Sequence, residues 1–96
     1  MRLDDVLAKL RHLKPQLALE AHVRSLAVFG SVVRGEATAG SDIDIIVEFD
    51  ETPGFFGFAA LQDRLRMELG CDVDLFTRAG LHPALRDRIL AEAVDA

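Results

Sequence analysis

A glycine–serine pair and two closely spaced aspartates are the residues of this sequence best suited to chemistry. Gly30 and Ser31 are followed, after Val32 to Ser41, by Asp42 and Asp44. Alternate side chains of a strand share one face, so the two carboxylates are expected about 6 to 7 Å apart along the backbone. Mg²⁺ prefers such oxygen ligands and usually keeps phosphates and waters as the others. The stretch therefore predicts a phosphate site facing a metal site.

The glycine–serine pair itself predicts an anion-binding turn. Gly30 lets the backbone approach a ligand closely. A short helix beginning at Ser31 and continuing to Arg34 would direct free N–H groups at an anion. Gly30 and Gly35 also have the spacing of a P-loop, but that motif continues with Lys and Ser or Thr, and this chain continues with Glu36 and Ala37. The P-loop interpretation is rejected.

Composition limits the classes of function. The 96 residues are expected to form a single domain spanning residues 1–96. The formal net charge of −5 argues against a duplex nucleic-acid binder, which needs clustered Lys and Arg. Cys71 is the only cysteine, so no internal disulfide is expected. No apolar stretch has the length of a membrane span, and the cytoplasm is the expected compartment.

Apolar periodicity predicts the elements that position these residues. The first helix has an apolar stripe over residues 3–13, and Pro15 should end it or begin a second short helix over 16–21. Ile43, Ile45 and Val47 should face the core. The remaining elements are a strand over 23–29, a second strand carrying the two acids, a loop over 50–57, a helix over 58–69, a strand over 71–76 and a last helix starting near 81–83. This order predicts an α+β fold, a mixed sheet with helices packed mainly on one face.

The spacing of these residues resembles that of a known superfamily. Gly-Ser, a spacer of about ten residues, Asp-x-Asp and a further Asp on a later strand are the signature of the DNA polymerase beta-like nucleotidyltransferases. The later acid is Asp74 in CDVDLF. That segment is similar to the Val-Asp-Leu strand of the minimal nucleotidyltransferase (MNT) antitoxins of prokaryotic toxin–antitoxin pairs. The resemblance covers nearly the whole chain and implies the polymerase beta-like palm.

The same resemblance implies an activity. The expected reaction transfers AMP from Mg-ATP to a hydroxyl group of a HEPN-type toxin and uses two Mg²⁺ ions. The hydroxyl group is expected to be that of a tyrosine. Asp42 and Asp44 would hold the ions, and Asp74 would share one of them and accept the acceptor's proton. The implied catalytic and metal-binding residues are thus Asp42, Asp44 and Asp74, and the implied nucleotide-binding residues are Gly30, Ser31, Arg34 and Ser41.

Several alternatives stay open at this point. The protein could instead be a non-catalytic antitoxin that blocks its partner by binding, or a transferase acting on a small molecule. Asp72 lies on the same strand face as Asp74, and only the family position favours Asp74. Ser41 fits a turn or capping residue of the second strand better than a ligand, and Arg34 could equally be a solvated surface residue. The aromatic residues Phe55, Phe56 and Phe58 are expected in the core more often than at a docking surface.

Overall fold

Seven elements make up the protein in the computed structural model, which describes residues 1–96. They are α1 (Leu3–Ala21), β1 (Val23–Phe29), β2 (Ile43–Phe49), α2 (Phe55–Leu69), β3 (Val73–Phe76), α3 (Arg86–Glu92) and β4 (Val94–Asp95). The four strands form one sheet in the order β3-β2-β1-β4. β1 is antiparallel to both β2 and β4, whereas β2 and β3 are parallel.

The larger core lies between one face of this sheet and helices α1 and α2. Ile43, Ile45 and Val47 are all buried there, as the alternation along the second strand predicts. The apolar stripes of both helices meet them, and Leu10 and Leu65 are completely buried. The two long helices therefore cover a single face, which confirms the predicted α+β architecture.

A smaller cluster covers part of the opposite face. Phe29, Ile46 and Leu81 are buried there, and Ile89 and Ala93 of the α3 region pack against them. Asp44 precedes Ile46 by two residues and therefore lies on the same face of β2. The short helix α3 thus shares a sheet face with the predicted site.

The prediction that Pro15 ends the first helix is wrong. α1 continues through Pro15 to Ala21. Proline removes the hydrogen bond to the carbonyl group four residues earlier and costs about 3 kcal/mol in a helix interior. Pro15 lies on the exposed side of α1, however, where water can reach that carbonyl of Arg11. Beyond the proline, Leu17 is completely buried, and burying such a side chain contributes about 1.5–3 kcal/mol, which offsets much of that cost.

The helix predicted over residues 58–69 begins earlier than predicted. α2 starts at Phe55, so residues 55–57 are helical and not part of the loop predicted over 50–57. Glycine is favoured at position 57, although it lies within a helix, because the β-carbon of any other residue would come within 2.9 Å of Pro53 Cβ. Phe55 and Phe56 are 80% and 86% exposed, so the expectation of a core position is wrong for both, whereas Phe58 is half-buried against Phe49.

The C-terminal part of the chain differs most from the prediction. β3 begins at Val73 and not at residue 71, and α3 begins at Arg86, after turns over residues 83–85. The two-residue strand β4 was not predicted, and its Val94 and Asp95 pair with Val28 and Ala27 of β1. No helix of the protein combines the length and the apolar character needed to span a bilayer.

Candidate active site

Three carboxylates meet where β2 and β3 begin. Asp42 immediately precedes β2, Asp44 is its second residue, and Asp74 is the second residue of β3. Asp44 and Asp74 are paired in the register of the parallel strands. Neighbouring strands lie about 5 Å apart, so these two side chains project side by side from one sheet face. The structure therefore brings together the three acids named from the sequence.

Two of the three carboxylates, those of Asp44 and Asp74, have raised pKa values. The pKa of Asp44 is raised to about 6, chiefly by its partial burial and then by the negative charges of Asp74 and Asp42. The pKa of Asp74 is also raised, first by burial and then by the neighbouring carboxylate of Asp42. Each negative charge here is unfavourable for the others, so a bound cation would relieve the repulsion.

The donor set fits Mg²⁺ that arrives together with a nucleotide. Taken alone, no three Asp, Glu, His or Cys side chains converge closely enough to hold a metal ion. Mg²⁺ in nucleotide enzymes is commonly held by one or two carboxylates, with phosphate oxygens and waters as its other ligands. The half-buried Asp44 and its neighbour Asp74, both with raised pKa values, can supply those carboxylates.

Gly30 places the turn after β1 directly against Asp44. Its φ of +82° lies in the left-handed region that glycine occupies at no steric cost. A β-carbon on Gly30 would overlap the Oδ2 atom of Asp44 and would lie 3.2 Å from its Cγ atom. Only glycine therefore lets the backbone and this carboxylate come so close, and the predicted anion-binding turn touches the acidic cluster.

The turn after Gly30 is tighter than the predicted short helix. Residues 31–35 form hydrogen-bonded turns, in which the N–H groups of Val33 and Arg34 both donate to the carbonyl of Gly30. The prediction of a helix beginning at Ser31 is therefore wrong in form. The N–H groups of Ser31 and Val32 donate to no backbone acceptor. They are the groups of this turn left free to bind an anion.

Glu92, at the end of α3, is a site residue that the sequence did not reveal. Its Oε2 atom accepts a hydrogen bond from the Gly30 N–H at 3.3 Å, and its Oε1 atom accepts one from Arg34 Nη1 at 2.7 Å. Glu36 accepts a further bond from Arg34 Nε at 3.0 Å. Both carboxylates raise the pKa of Arg34. Since Glu92 is 58 residues from Arg34 in the chain, no local pattern connects the two.

The remaining predicted residues lie at the edge of the cluster. Ser41 Oγ accepts a hydrogen bond from the N–H of Thr38 at 2.9 Å and so closes the turn that leads into β2. The side chain of Asp72 is exposed, while its carbonyl accepts the Ile43 N–H. Both residues line an open cleft of about 480 Å³ together with Arg66. The register thus puts Asp74, and not Asp72, beside Asp44.

Comparison with known proteins identifies relatives along almost the whole chain. The family described as "Nucleotidyltransferase domain" matches residues 5–96. The protein adenylyltransferase MntA of Thermococcus cleftensis is 37% identical over 94 residues, which cover 98% of this chain and 95% of that protein.

Solved structures show the same fold. One, assigned as a minimal nucleotidyltransferase, is 37% identical with a TM-score of 0.79 and covers 98% of this chain and 95% of its own. A second is an MNT antitoxin in complex with the tri-AMPylated HEPN toxin of Shewanella oneidensis. It is 22% identical with a TM-score of 0.59, covers 96% of this chain and 66% of its own, and so demonstrates likeness of fold alone.

Proposed function

This chain belongs to the nucleotidyltransferase domain family, and we propose that it transfers AMP from Mg-ATP to a hydroxyl group of a partner toxin of the HEPN type. The observation that carries this proposal is the contact of the Gly30 turn with Asp44, whose strand partner is Asp74. If ATP bound with its α-phosphate beside the acids, its β- and γ-phosphates would lie on the turn. The expected compartment is the cytoplasm, where Mg-ATP is available.

Asp42, Asp44 and Asp74 are the residues that would hold two Mg²⁺ ions. When bound, these ions would neutralise the phosphates and lower the pKa of the acceptor hydroxyl. The free N–H groups of Ser31 and Val32 would donate to the terminal phosphates, and unused guanidinium donors of Arg34 would add positive charge there. Charge that develops on the departing pyrophosphate is thereby stabilised.

The covalent step is a displacement at the α-phosphorus. The acceptor oxygen forms a bond to that phosphorus, and the bond to the oxygen bridging the α- and β-phosphates breaks. Asp74, which lies beside Asp44, accepts the proton of the hydroxyl group as the general base. Pyrophosphate leaves, and the partner keeps AMP as a phosphodiester.

The choice of AMP and of a protein acceptor is supported by the relatives. MntA of Thermococcus cleftensis is a protein adenylyltransferase, and the HEPN toxin bound to the Shewanella oneidensis antitoxin carries AMP groups. Asp42 and Asp72 are exposed, so the acidic cluster is open to a large acceptor. A folded partner docking over this opening would bring its own hydroxyl group, expected to be that of a tyrosine, into line.

The test is transfer of label from ATP to the cognate HEPN-type partner. With Mg²⁺ and ATP labelled at the α-phosphate, the partner should become labelled, whereas ATP labelled at the γ-phosphate should leave it unlabelled. Asp44→Asn should prevent labelling, and Asp63→Asn, which removes an exposed carboxylate from α2, should not. Labelling from the γ-phosphate would indicate a kinase and would contradict the proposal.

A further inference from the structure

We infer that Glu92 is a positioning residue for the phosphate-binding turn, one that holds Gly30 and Arg34 in the arrangement that receives the β- and γ-phosphates of ATP. This inference rests on the proposed function, because it assigns a role at the same site. It predicts that Glu92 determines how strongly the protein binds a triphosphate and how well it discriminates a triphosphate from a monophosphate.

The contacts of Glu92 connect two parts of the turn. One carboxylate oxygen accepts the Gly30 N–H and the other accepts Arg34 Nη1, so a single side chain fixes both the first peptide of the turn and its only cation. The 2.7 Å contact with Arg34 is at the short end of charge-assisted hydrogen bonds. The Glu92 side chain is 22% exposed, whereas that of Glu36, the other partner of Arg34, is 63% exposed. Glu92 is therefore the more shielded of the two from solvent.

Glu92 is itself fixed from both sides. Before it, Ile89 and Leu90 of α3 pack against the smaller apolar cluster. After it, Val94 pairs with Val28 of β1. The backbone of this position is already fixed by the fold, so only side-chain freedom is lost when Glu92 forms its hydrogen bonds. The end of α3 is thus a rigid support for the turn after β1.

The bonds to Glu92 leave the other donors of the turn available. The Ser31 and Val32 N–H groups have no backbone acceptor, and a fixed Gly30 peptide sets the direction in which they point. Arg34 has five N–H donors, of which two contact Glu92 and Glu36, so three are available for phosphate oxygens. Without Glu92, Arg34 would be restrained only by Glu36 on its own turn.

The test compares binding of two nucleotides by the whole protein. Titration calorimetry would give the Kd values of Mg-ATP and of AMP for the wild type, for Glu92→Gln and for Asp87→Asn. Glutamine keeps the size of Glu92, but it removes the charge and cannot accept both hydrogen bonds. We expect Glu92→Gln to weaken Mg-ATP binding about 10-fold, the effect of about one charge-assisted hydrogen bond, and AMP binding less than about 2-fold. Asp87→Asn removes an exposed charge from the same helix and should change neither value.

Two further variants relate the effect to Arg34 and guard against misfolding. In an Arg34→Gln background, Glu92→Gln should cost less Mg-ATP affinity than it does in the wild type, because the bond to Arg34 is already broken and only the bond from Gly30 is still affected. Glu92→Asp keeps the charge but is too short to span both partners, and it should show the same selective loss of Mg-ATP binding if Glu92→Gln does not fold. A retained melting temperature would show that the loss is not one of stability.

Each other outcome has a distinct meaning. A wild-type protein that does not bind Mg-ATP would overturn the proposed function itself. A wild type that binds, together with Glu92 variants of unchanged affinity, would overturn only the inference about Glu92. Tighter Mg-ATP binding by Glu92→Gln would also overturn it, since Glu92 would then compete with the phosphates for Gly30 and Arg34. An additive double variant would show that Glu92 does not act through Arg34.

Discussion

Replacing Gly30 with alanine should separate the two reasons for a glycine at this position. The left-handed backbone, with φ of +82°, costs an alanine about 1–2 kcal/mol. The new methyl group would also overlap Asp44 Oδ2 and lie 3.2 Å from Asp44 Cγ, so the carboxylate must rotate away. An unfavourable rotamer costs about 0.5–1.5 kcal/mol more. We expect Gly30→Ala to lower the free energy of unfolding by about 1.5–3.5 kcal/mol in total.

Gly35 is a matched control in the same turn. Its φ is +73°, and no atom lies within 4 Å of the position that a β-carbon would take. Gly35→Ala should therefore show only the backbone cost of about 1–2 kcal/mol. The difference between the two variants measures the overlap with Asp44. Urea unfolding would report both values, and a change of 1 kcal/mol would move the melting temperature of a chain this size by about 4–8 °C.

Binding should distinguish the two variants more clearly than stability. Gly30→Ala displaces a carboxylate that would hold Mg²⁺, so Mg-ATP binding should fall sharply, whereas Gly35→Ala should retain most of it. In an Asp44→Ala background the excess destabilisation by Gly30→Ala should disappear, because the overlapping atoms are gone. Equal effects of the two glycine substitutions on stability and on binding would refute the argument that Gly30 joins the turn to the acids.

Three further predictions concern the acids. First, the metal-free protein should lose about 1–2 kcal/mol of stability, after allowance for solvent screening, as the pH rises from about 4 to 6.5. The pKa of Asp44 is about 6, so in that window the folded state keeps a proton that the unfolded chain has released. Unfolding of Asp44→Asn should show a smaller dependence on pH, because only Asp74 then keeps a raised pKa, and an unchanged slope would assign the effect to a group other than Asp44. Second, Asp74→Asn should abolish transfer while Asp72→Asn lowers it modestly, and the reverse ranking would contradict the register of β3. Third, calorimetry should show far tighter binding of Mg-ATP than of ATP in EDTA, and equal affinities would contradict a role for Mg²⁺ in nucleotide binding.

Local patterns in the sequence were sufficient for the centre of the sheet. The strand over 23–29 was predicted with its observed bounds, and the alternation of Ile43 and Ile45 gave the face of β2 correctly. Gly70 ends α2 in the left-handed conformation, with φ of +70°, which is a common role of glycine after the last turn of a helix. In each case the controlling interactions lie within a few residues of one another, so periodicity and backbone preference decide the structure.

Long-range contacts account for the errors. Pro15 is tolerated because Leu17 is buried by elements far along the chain, and this tertiary gain offsets much of the local cost of the proline. β4 has two residues and exists only because β1 offers an open edge to pair with. Glu92 also reaches the site through a long-range contact, since α3 packs on β1 and so places Glu92 beside Gly30. No window of neighbouring residues contains these contacts.

The mass of the partner protein after incubation with Mg-ATP tests the central claim most directly. Intact-mass analysis would compare the partner alone, the partner with this protein, and the partner with Asp44→Asn. The account predicts a gain by whole AMP units with the wild type and no gain with the variant. A partner that is bound and silenced by the wild type without any increase in mass would contradict nucleotidyl transfer and leave binding alone as the mode of action.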